Sequence, residues 1–471
     1  MERIAFVTEP LLTTDFVQFH AVVPLLERLS RRFEVAVAAP AVSEPVRETL
    51  RSKGVSVIGP NAVFPRARSS RDELPSYIWS WGRDTFLGQN GRQIDRALRD
   101  FRGLRVNFSM TVACDADCWY IQSETLGPAL SAMRRNFNRM LRWPATLATG
   151  AIGLADWNHL RRAARRAQRV YTSTLHIAQS FAKRSVSVRG IVPSPYRSVF
   201  GPAERNPSRD YVLSYLAKET DAEALDRLIR SGIPIKIFGS KSAGWVDGIF
   251  RHGLPPHVEL LGRVSDEELR NLYSNALFTA FPFTEESFGL IPVESMACGT
   301  PVLSYRKQGP AETIVDGETG WLVDTVDEFA AKAESLFKTG YSTGLTQNCL
   351  RRASLFHLDT VSRQWEGLLK SALLGVEEPD SVRWSPEATL IPVPAPRVPI
   401  RSHPVQLWAE PFGNSSDLEP AAWPVRSPGK PSRPPSGPTR ASKPDPGHLA
   451  KVPLPGSLGQ GTVQKDKTAG E

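Results

Sequence analysis

Residues 281–303 read Phe281-Pro-Phe-Thr-Glu-Glu-Ser-Phe-Gly-Leu-Ile-Pro-Val-Glu-Ser-Met-Ala-Cys-Gly-Thr-Pro-Val-Leu303. The stretch predicts strand, loop, helix, turn and strand in that order, with Gly299 ending the helix. Glu286 falls in the loop after a strand, where a polar side chain can face a cleft. Ser287, Phe288, Gly289 and Leu290 open the helix. Gly289 admits a ligand close to the backbone, and the free amides of a helix start suit a phosphate. Glu294 lies eight residues after Glu286, inside the helix. A carboxylate there can accept two hydrogen bonds from a vicinal diol such as a ribose. Phosphate donors flanked by two carboxylates fit a nucleotide sugar better than a bare nucleotide. The plainer alternatives are a solvated loop acid at Glu286 and an arginine-paired carboxylate at Glu294.

Outward from this stretch the chain alternates strand-like and helix-like segments. Strands are expected at 211–215, 235–238, 258–261, 277–281 and 301–304, and helices at 222–230, 266–274 and 290–297. Gly239 ends the second of these strands. Ser265 with Glu268 reads as a capping box at the start of the helix from Asp266. Upstream, 4–7, 34–39 and 55–58 read as strands, and a helix capped by Asp15 carries Phe16, Phe19, Val22, Val23, Leu26 and Leu29 on its apolar face, with Pro24 inside it. Strands joined through helices by short connections form a parallel sheet covered by helices. The pattern runs twice, with a breaker-rich linker near 190–210. The expectation is therefore α/β: two Rossmann-like doubly wound domains, 1–195 and 196–375, facing across a cleft. A Pro-rich tail, 376–471, is expected to be disordered. It holds 19 of the chain's 39 prolines and lacks apolar periodicity. Residues 360–374 read as a last helix that crosses back to the first domain.

The Glu286…Glu294 pair, with Phe-Gly after the first glutamate, resembles the signature of the retaining GT-B glycosyltransferases of family 4. The likeness continues through Ala297-Cys-Gly-Thr-Pro-Val302, Gly309-Pro-Ala-Glu312 and Asp316-Gly-Glu-Thr-Gly-Trp-Leu-Val323, and back to Leu261-Gly-Arg-Val-Ser-Asp-Glu-Glu-Leu269. It covers about 211–325. The resemblance implies transfer of a sugar from a nucleotide-diphosphate donor to a glycan, lipid-linked or small-molecule acceptor. It implies that Glu286 contacts the donor sugar and Glu294 the ribose. The amides of Phe288, Gly289 and Leu290 would face the diphosphate and sugar, with Ser287 also donor-binding, and the backbone of Gly262, Arg263 and Val264 would contact the base. It also implies no metal and no cofactor beyond the donor substrate. Two rivals stand beside it: an epimerase- or phosphorylase-like relative, and a degenerate nucleotide-sugar-binding protein.

The chain departs from the family in two places. Tyr215 stands where an arginine is usual, which leaves Lys218 as the expected catalytic cation beside Glu286 and Lys241, after Gly239, as a second donor-binding cation. The loop after the first strand, Thr8 to Asp15, has no glycine. His20, just beyond it, reads as a packed histidine. Asp115, Asp117 and the run Gln122 to Glu124 are candidates for the acceptor side, with solvated loop acids as the bland alternative.

Composition bounds the rest. The chain has 471 residues, 58 basic and 49 acidic side chains, and a net charge of +9. Its 41% hydrophobic content excludes global disorder. Four scattered cysteines make neither a disulfide framework nor a zinc site. The first residues lack a signal-peptide pattern and no run is long enough to span a bilayer, so a cytoplasmic protein is expected. Nine arginines and one acid lie in 134–169. Interleaved with apolar residues, they suit peripheral contact with an anionic membrane, at its inner face, or a solvated pair of helices. No recognised nucleic-acid module appears, so no nucleic-acid partner is expected.

Overall fold

The computed structural model describes residues 1–14, 17–59, 73–127, 130, 142–203, 207–217, 219–239 and 254–383. Lys218 and Lys241 lie outside the described residues, as do Asp15, the arginines 134, 135 and 139, and the expected tail from 384 onward.

The first half forms a seven-stranded sheet. Its strands are β1 (Arg3–Val7), β2 (Glu34–Ala38), β3 (Ser56–Ile58), β4 (Leu104–Asn107), β5 (Ala116–Ile121), β6 (Ala167–Thr172) and β7 (Gly190–Ile191), in spatial order β3-β2-β1-β4-β5-β6-β7. Every pairing is parallel. The connecting helices include α1 (Val17–Leu29), α2 (Glu44–Ser52), α3 (Glu73–Leu87), α4 (Gln89–Ala97), α5 (Arg142–Arg166) and α6 (Leu175–Ala182). Val22, Val23, Leu26 and Leu29 of α1 are buried on the sheet, as their spacing predicts. His20 is instead exposed on the same helix, so its expected packing does not occur.

The second half forms a six-stranded sheet of β8 (Val212–Leu216), β9 (Ile235–Gly239), β10 (Val258–Gly262), β11 (Thr279–Phe281), β12 (Val302–Tyr305) and β13 (Gly320–Val323), in order β10-β9-β8-β11-β12-β13. All of these strands are parallel too. Its helices are α7 (Ala222–Arg230), α8 (Asp266–Asn275), α9 (Leu290–Ala297), α10 (Pro310–Thr313), α11 (Val326–Thr339) and α12 (Gly344–Ser354). The Ser265 hydroxyl accepts the Glu268 amide at the start of α8, which satisfies one orphan donor of that helix.

The last helix, α13 (Leu358–Leu374), returns to the first domain. Its Trp365, Leu368 and Leu369 are buried in the core of the first sheet with Phe6 and Phe108, each contributing roughly 2 kcal/mol by burial. The Trp365 ring lies 4.9 Å from both Phe108 and Tyr120. The chain then continues onto β7. The Ile191 amide donates to the Val382 carbonyl at 2.7 Å, and Glu378 accepts from Tyr171 and Arg169. Residues 376–383 are therefore packed rather than part of the disordered tail expected from Val376 onward. Their Glu-Glu-Pro-Asp composition resembles a linker, but Val382 and Glu378 find a sheet edge and a buried polar niche that only the folded domain provides.

Candidate active site

In an open parallel sheet the ligand crevice lies beyond the carboxyl ends of the strands, where the strand order reverses. In the second sheet that point falls between β8 and β11. The loop 282–289 leaves β11 there, and Tyr215 sits near the end of β8. The ends of β9 and β10 bring Gly239 and Gly262 to the same rim. The four segments singled out from sequence, around 215, 239, 262 and 286, therefore meet at one place although they span some 70 residues.

Gly289 caps α9 with φ 92°, a conformation that favours glycine. This turn aims the loop amides inward. The amides of Phe288 and Gly289 donate to Glu286 Oε1 at 3.2 and 3.1 Å. The carboxylate thus occupies donors that the sequence assigned to a diphosphate. Burial raises the Glu286 pKa, against those two hydrogen bonds. Behind the loop, Gly309 touches Phe288 so closely that a Cβ would stand 2.4 Å from the Phe288 backbone. The Gly309 amide also donates to the Glu286 carbonyl at 3.0 Å.

Glu294 is buried on the inner face of α9. Its Oε1 accepts from Arg197 Nε at 3.1 Å. The same guanidinium reaches Asp266 through Nη1. Burial pushes the Glu294 pKa up to about 7, outweighing the pairing with Arg197. The arginine-paired alternative for Glu294 is therefore what the structure shows. Arg197 itself was not singled out from sequence. It lies in the linker, whose prolines and glycines signal only irregular backbone.

Tyr215 stacks on Phe283 with ring centroids 5.7 Å apart and packs against Phe238 at 5.0 Å. Burial pushes its pKa to about 12, and Glu219, Glu286 and Glu294 are near enough to add to the effect. An uncharged ring thus stands, within electrostatic reach of both carboxylates, where an arginine was expected. Arg263 is exposed at the end of β10, and Val264 packs on the domain core. Ser287 does not turn toward the rim amides. Its Oγ accepts the Glu124 amide of the first domain at 2.9 Å.

That contact locates the facing wall. Glu124 follows the carboxyl end of β5 and is held below the usual carboxylate range against its burial, by hydrogen bonds from His176 and Ser180. A second contact lies nearby, where Glu312 of α10 accepts the amides of Leu175 and His176 at the start of α6. Asp115 and Asp117 do not line this wall. They lie at the amino end of β5, about 17 Å along the strand from its other end. Asp115 pairs with Arg166, and Asp117 accepts from the Arg105 amide and Gln168. At the reversal point of the first sheet, between β1 and β4, Glu9 takes the place of a glycine-rich loop. It is buried, accepts the amides of Met110 and Thr111, and has a pKa raised by that burial. Nothing in the local sequence marks Glu9, because its partners are about 100 residues away.

The basic segment divides by the same kind of contact. Arg162 donates to the carbonyls of Asp84 and Thr85, Arg166 pairs with Asp95, and Arg169 binds Glu378. Arg161 and Arg165 are exposed on α5 beside the exposed side chain of Phe86, and Leu154 is exposed on the same helix. No helix among the described residues is long and apolar enough to cross a membrane.

Residues 214–352 match the family model described as "Glycosyl transferases group 1". A D-inositol 3-phosphate glycosyltransferase of Acidothermus cellulolyticus is 36% identical over 109 residues, 23% of this chain and 24% of that protein. One from Mycolicibacterium smegmatis is 33% identical over 143 residues, 28% of this chain and 32% of that protein. The chain thus spans only a quarter to a third of the length of these curated relatives. Among solved structures, sucrose-phosphate synthase from Thermosynechococcus elongatus is similar with a TM-score of 0.56 at 16% identity, covering 80% of this chain and 100% of that one. Anabaena HepE, solved with UDP and glucose, is similar with a TM-score of 0.53 at 16% identity, covering 79% and 100%. These likenesses show a shared GT-B fold.

Proposed function

Because residues 214–352 are a group 1 glycosyltransferase domain on a GT-B frame, we propose that the protein transfers a sugar from a nucleotide-diphosphate donor to an acceptor bound against the first domain. The observation that carries this reading is the bracketing of the α9 start by Glu286 and Glu294 at the strand-order reversal, opposite Glu124. In the reading, Glu286 contacts the donor sugar and Glu294 the ribose, while the amides of Phe288, Gly289 and Leu290 take the diphosphate. Gly239, at the end of β9, faces the diphosphate, and the backbone of Gly262 to Val264 contacts the base. Lys218 and Lys241 are the cations proposed for the leaving diphosphate.

Donor binding would then exchange one anion for another. The diphosphate displaces the Glu286 carboxylate from the Phe288 and Gly289 amides, and the freed carboxylate turns to the sugar hydroxyls. Amides aimed in advance at a departing diphosphate lower the barrier because they need no reorganisation as charge develops. Retention at the anomeric carbon and independence of metal are parts of the same proposal. The acceptor class, glycan, lipid-linked or small molecule, stays open. UDP-glucose leads the donors to be tested, since HepE was solved with it.

The test is a thermal-shift panel of UDP- and GDP-sugars followed by donor hydrolysis and transfer assays in the presence of EDTA. A true donor raises the melting temperature by mass action. Stabilisation without turnover would favour the second reading, a nucleotide-sugar-binding protein, for which the uncharged Tyr215 in the place of an arginine speaks. A cytoplasmic place with peripheral contact to an anionic membrane belongs to the proposal as well. Arg161 and Arg165 beside Phe86, with Leu154 exposed on the same helix, support it. Unchanged liposome co-sedimentation of the Arg161→Glu/Arg165→Glu variant would remove it.

A further inference from the structure

Arg197 is the only described residue of the linker that reaches a carboxylate of the candidate site. Its guanidinium bridges two acids of the second domain, Glu294 at 3.1 Å and Asp266. It also lies 4.7 Å over the Phe200 ring, which itself packs edge-on against Tyr273 at 5.7 Å. The preceding residue is fixed as well, because the Tyr196 amide donates to the Phe356 carbonyl at 3.2 Å. Two acids, one aromatic face and an anchored backbone leave the guanidinium little freedom. A guanidinium held this way fixes the place of Oε1, the carboxylate oxygen it binds through one charge-assisted hydrogen bond. It takes Oε1 of Glu294, whereas Oε2 accepts no hydrogen bond from a described residue.

We infer that Arg197 is a positioning residue: it holds the Glu294 carboxylate so that Oε2 is presented to the ribose hydroxyls, and it thereby sets the preference of the site for a ribonucleotide. The inference rests on the ribose-binding reading of Glu294. It gives the linker a part in donor recognition that a connecting segment does not ordinarily have. A lysine cannot replace the arginine fully, since one ammonium lacks the fork that spans Glu294 and Asp266.

The experiment compares affinities of UDP and GDP with those of their 2′,3′-dideoxy counterparts by titration calorimetry. The proteins are the wild type, Arg197→Lys, Arg197→Met, Glu294→Gln and the double variant Arg197→Met/Glu294→Gln. The wild type should prefer the ribose form by about tenfold, the order of one charge-assisted hydrogen bond. Arg197→Met should lose most of that preference, Arg197→Lys should keep part of it, and the double variant should show no more loss than Glu294→Gln alone. Far-ultraviolet circular dichroism and melting curves confirm that each variant is folded. Arg197→Lys provides the test if Arg197→Met does not fold. A wild type that discriminates, with undiminished discrimination in the folded Arg197 variants, overturns the positioning role alone. A wild type that binds both forms equally, or binds neither nucleotide, overturns the reading of Glu294 and the inference with it.

Discussion

The Glu312 carboxylate accepts the His176 main-chain amide at 2.7 Å, and the two residues belong to different domains. With the Leu175 amide at 2.8 Å, the acid of one domain caps a helix of the other. A negative charge at a helix start is favourable, and the bonds satisfy two donors that the helix cannot pair internally. Burial raises the Glu312 pKa against these bonds. Removing the acid leaves both amides orphaned. Glu312→Ala should lower stability by about 1 kcal/mol, read as a drop in the melting temperature. It should also enlarge the radius of gyration of the nucleotide-free protein in solution scattering. An unchanged radius would mean that the contact does not hold the domains together.

Glu286 should matter for turnover far more than for stability. Its carboxylate satisfies amides of its own loop in the free protein, and the diphosphate is proposed to satisfy them in the complex. Glu286→Ala should therefore lower kcat by about a hundredfold or more, the range seen when one preorganised electrostatic contact is removed. Nucleotide affinity should persist. Donor turnover beside calorimetric titration with UDP or GDP separates the two quantities. Intact turnover would reject the assignment.

The Glu294 carboxyl, pushed up to about 7, makes donor affinity depend on pH. Above that value it is ionised and accepts from both ribose hydroxyls. Below it the proton removes the charge and one acceptor site. Affinity for a nucleotide sugar, whose diphosphate diester does not titrate in this range, should fall as pH falls through 7. The fall is bounded by the roughly tenfold worth of the ribose contact, so the slope reaches about threefold per pH unit at its steepest. Titrations from pH 5.5 to 8.5 provide the measurement. Glu294→Gln should flatten the profile, and a flat profile in the wild type would contradict the assignment.

Gly309 tests the support of the loop. A methyl group there meets the Phe288 backbone at 2.4 Å, a separation that forces the backbone to move. Gly309→Ala should cost about 1–3 kcal/mol as an overpacking strain. Donor affinity should also fall, because the displaced segment carries the Phe288 and Gly289 amides. Gly317→Ala is the control for lost stability: Gly317 has φ 77°, where Gly309 is right-handed at −58°, and no neighbouring atom stands close to an added Cβ. It should lose stability without losing donor affinity.

Much of the frame was legible in the amino-acid sequence because the relevant signals are local. The bounds of α8 and α9 follow from a few residues each: Ser265 as cap for the one, Gly289 and Gly299 around the other. The alternation of strand and helix implied parallel sheets, and parallel sheets place their ligands at the strand ends. The spacing of Glu286 and Glu294 then put both acids beside one helix start. The polar residues around β5 show the limit of such reading. Asp115, Asp117 and Glu124 look alike as acids near a strand, yet only Glu124 lies at its carboxyl end, because the strand separates them.

Sequence thus sufficed for whatever depends on neighbours within a turn or a strand: the two α/β halves, the helix that opens at Leu290, and the carboxylates that flank it. Tertiary structure decided which partners those carboxylates have. Arg197 meets Glu294 across 97 residues and Glu312 meets His176 across 136. Pairings of this kind carry no periodicity, since they exist only once two sheets and a linker have packed. Charge and burial then act on the assembled site, and they raise Glu294 to near neutrality where a carboxylate read from sequence would be taken as fully ionised.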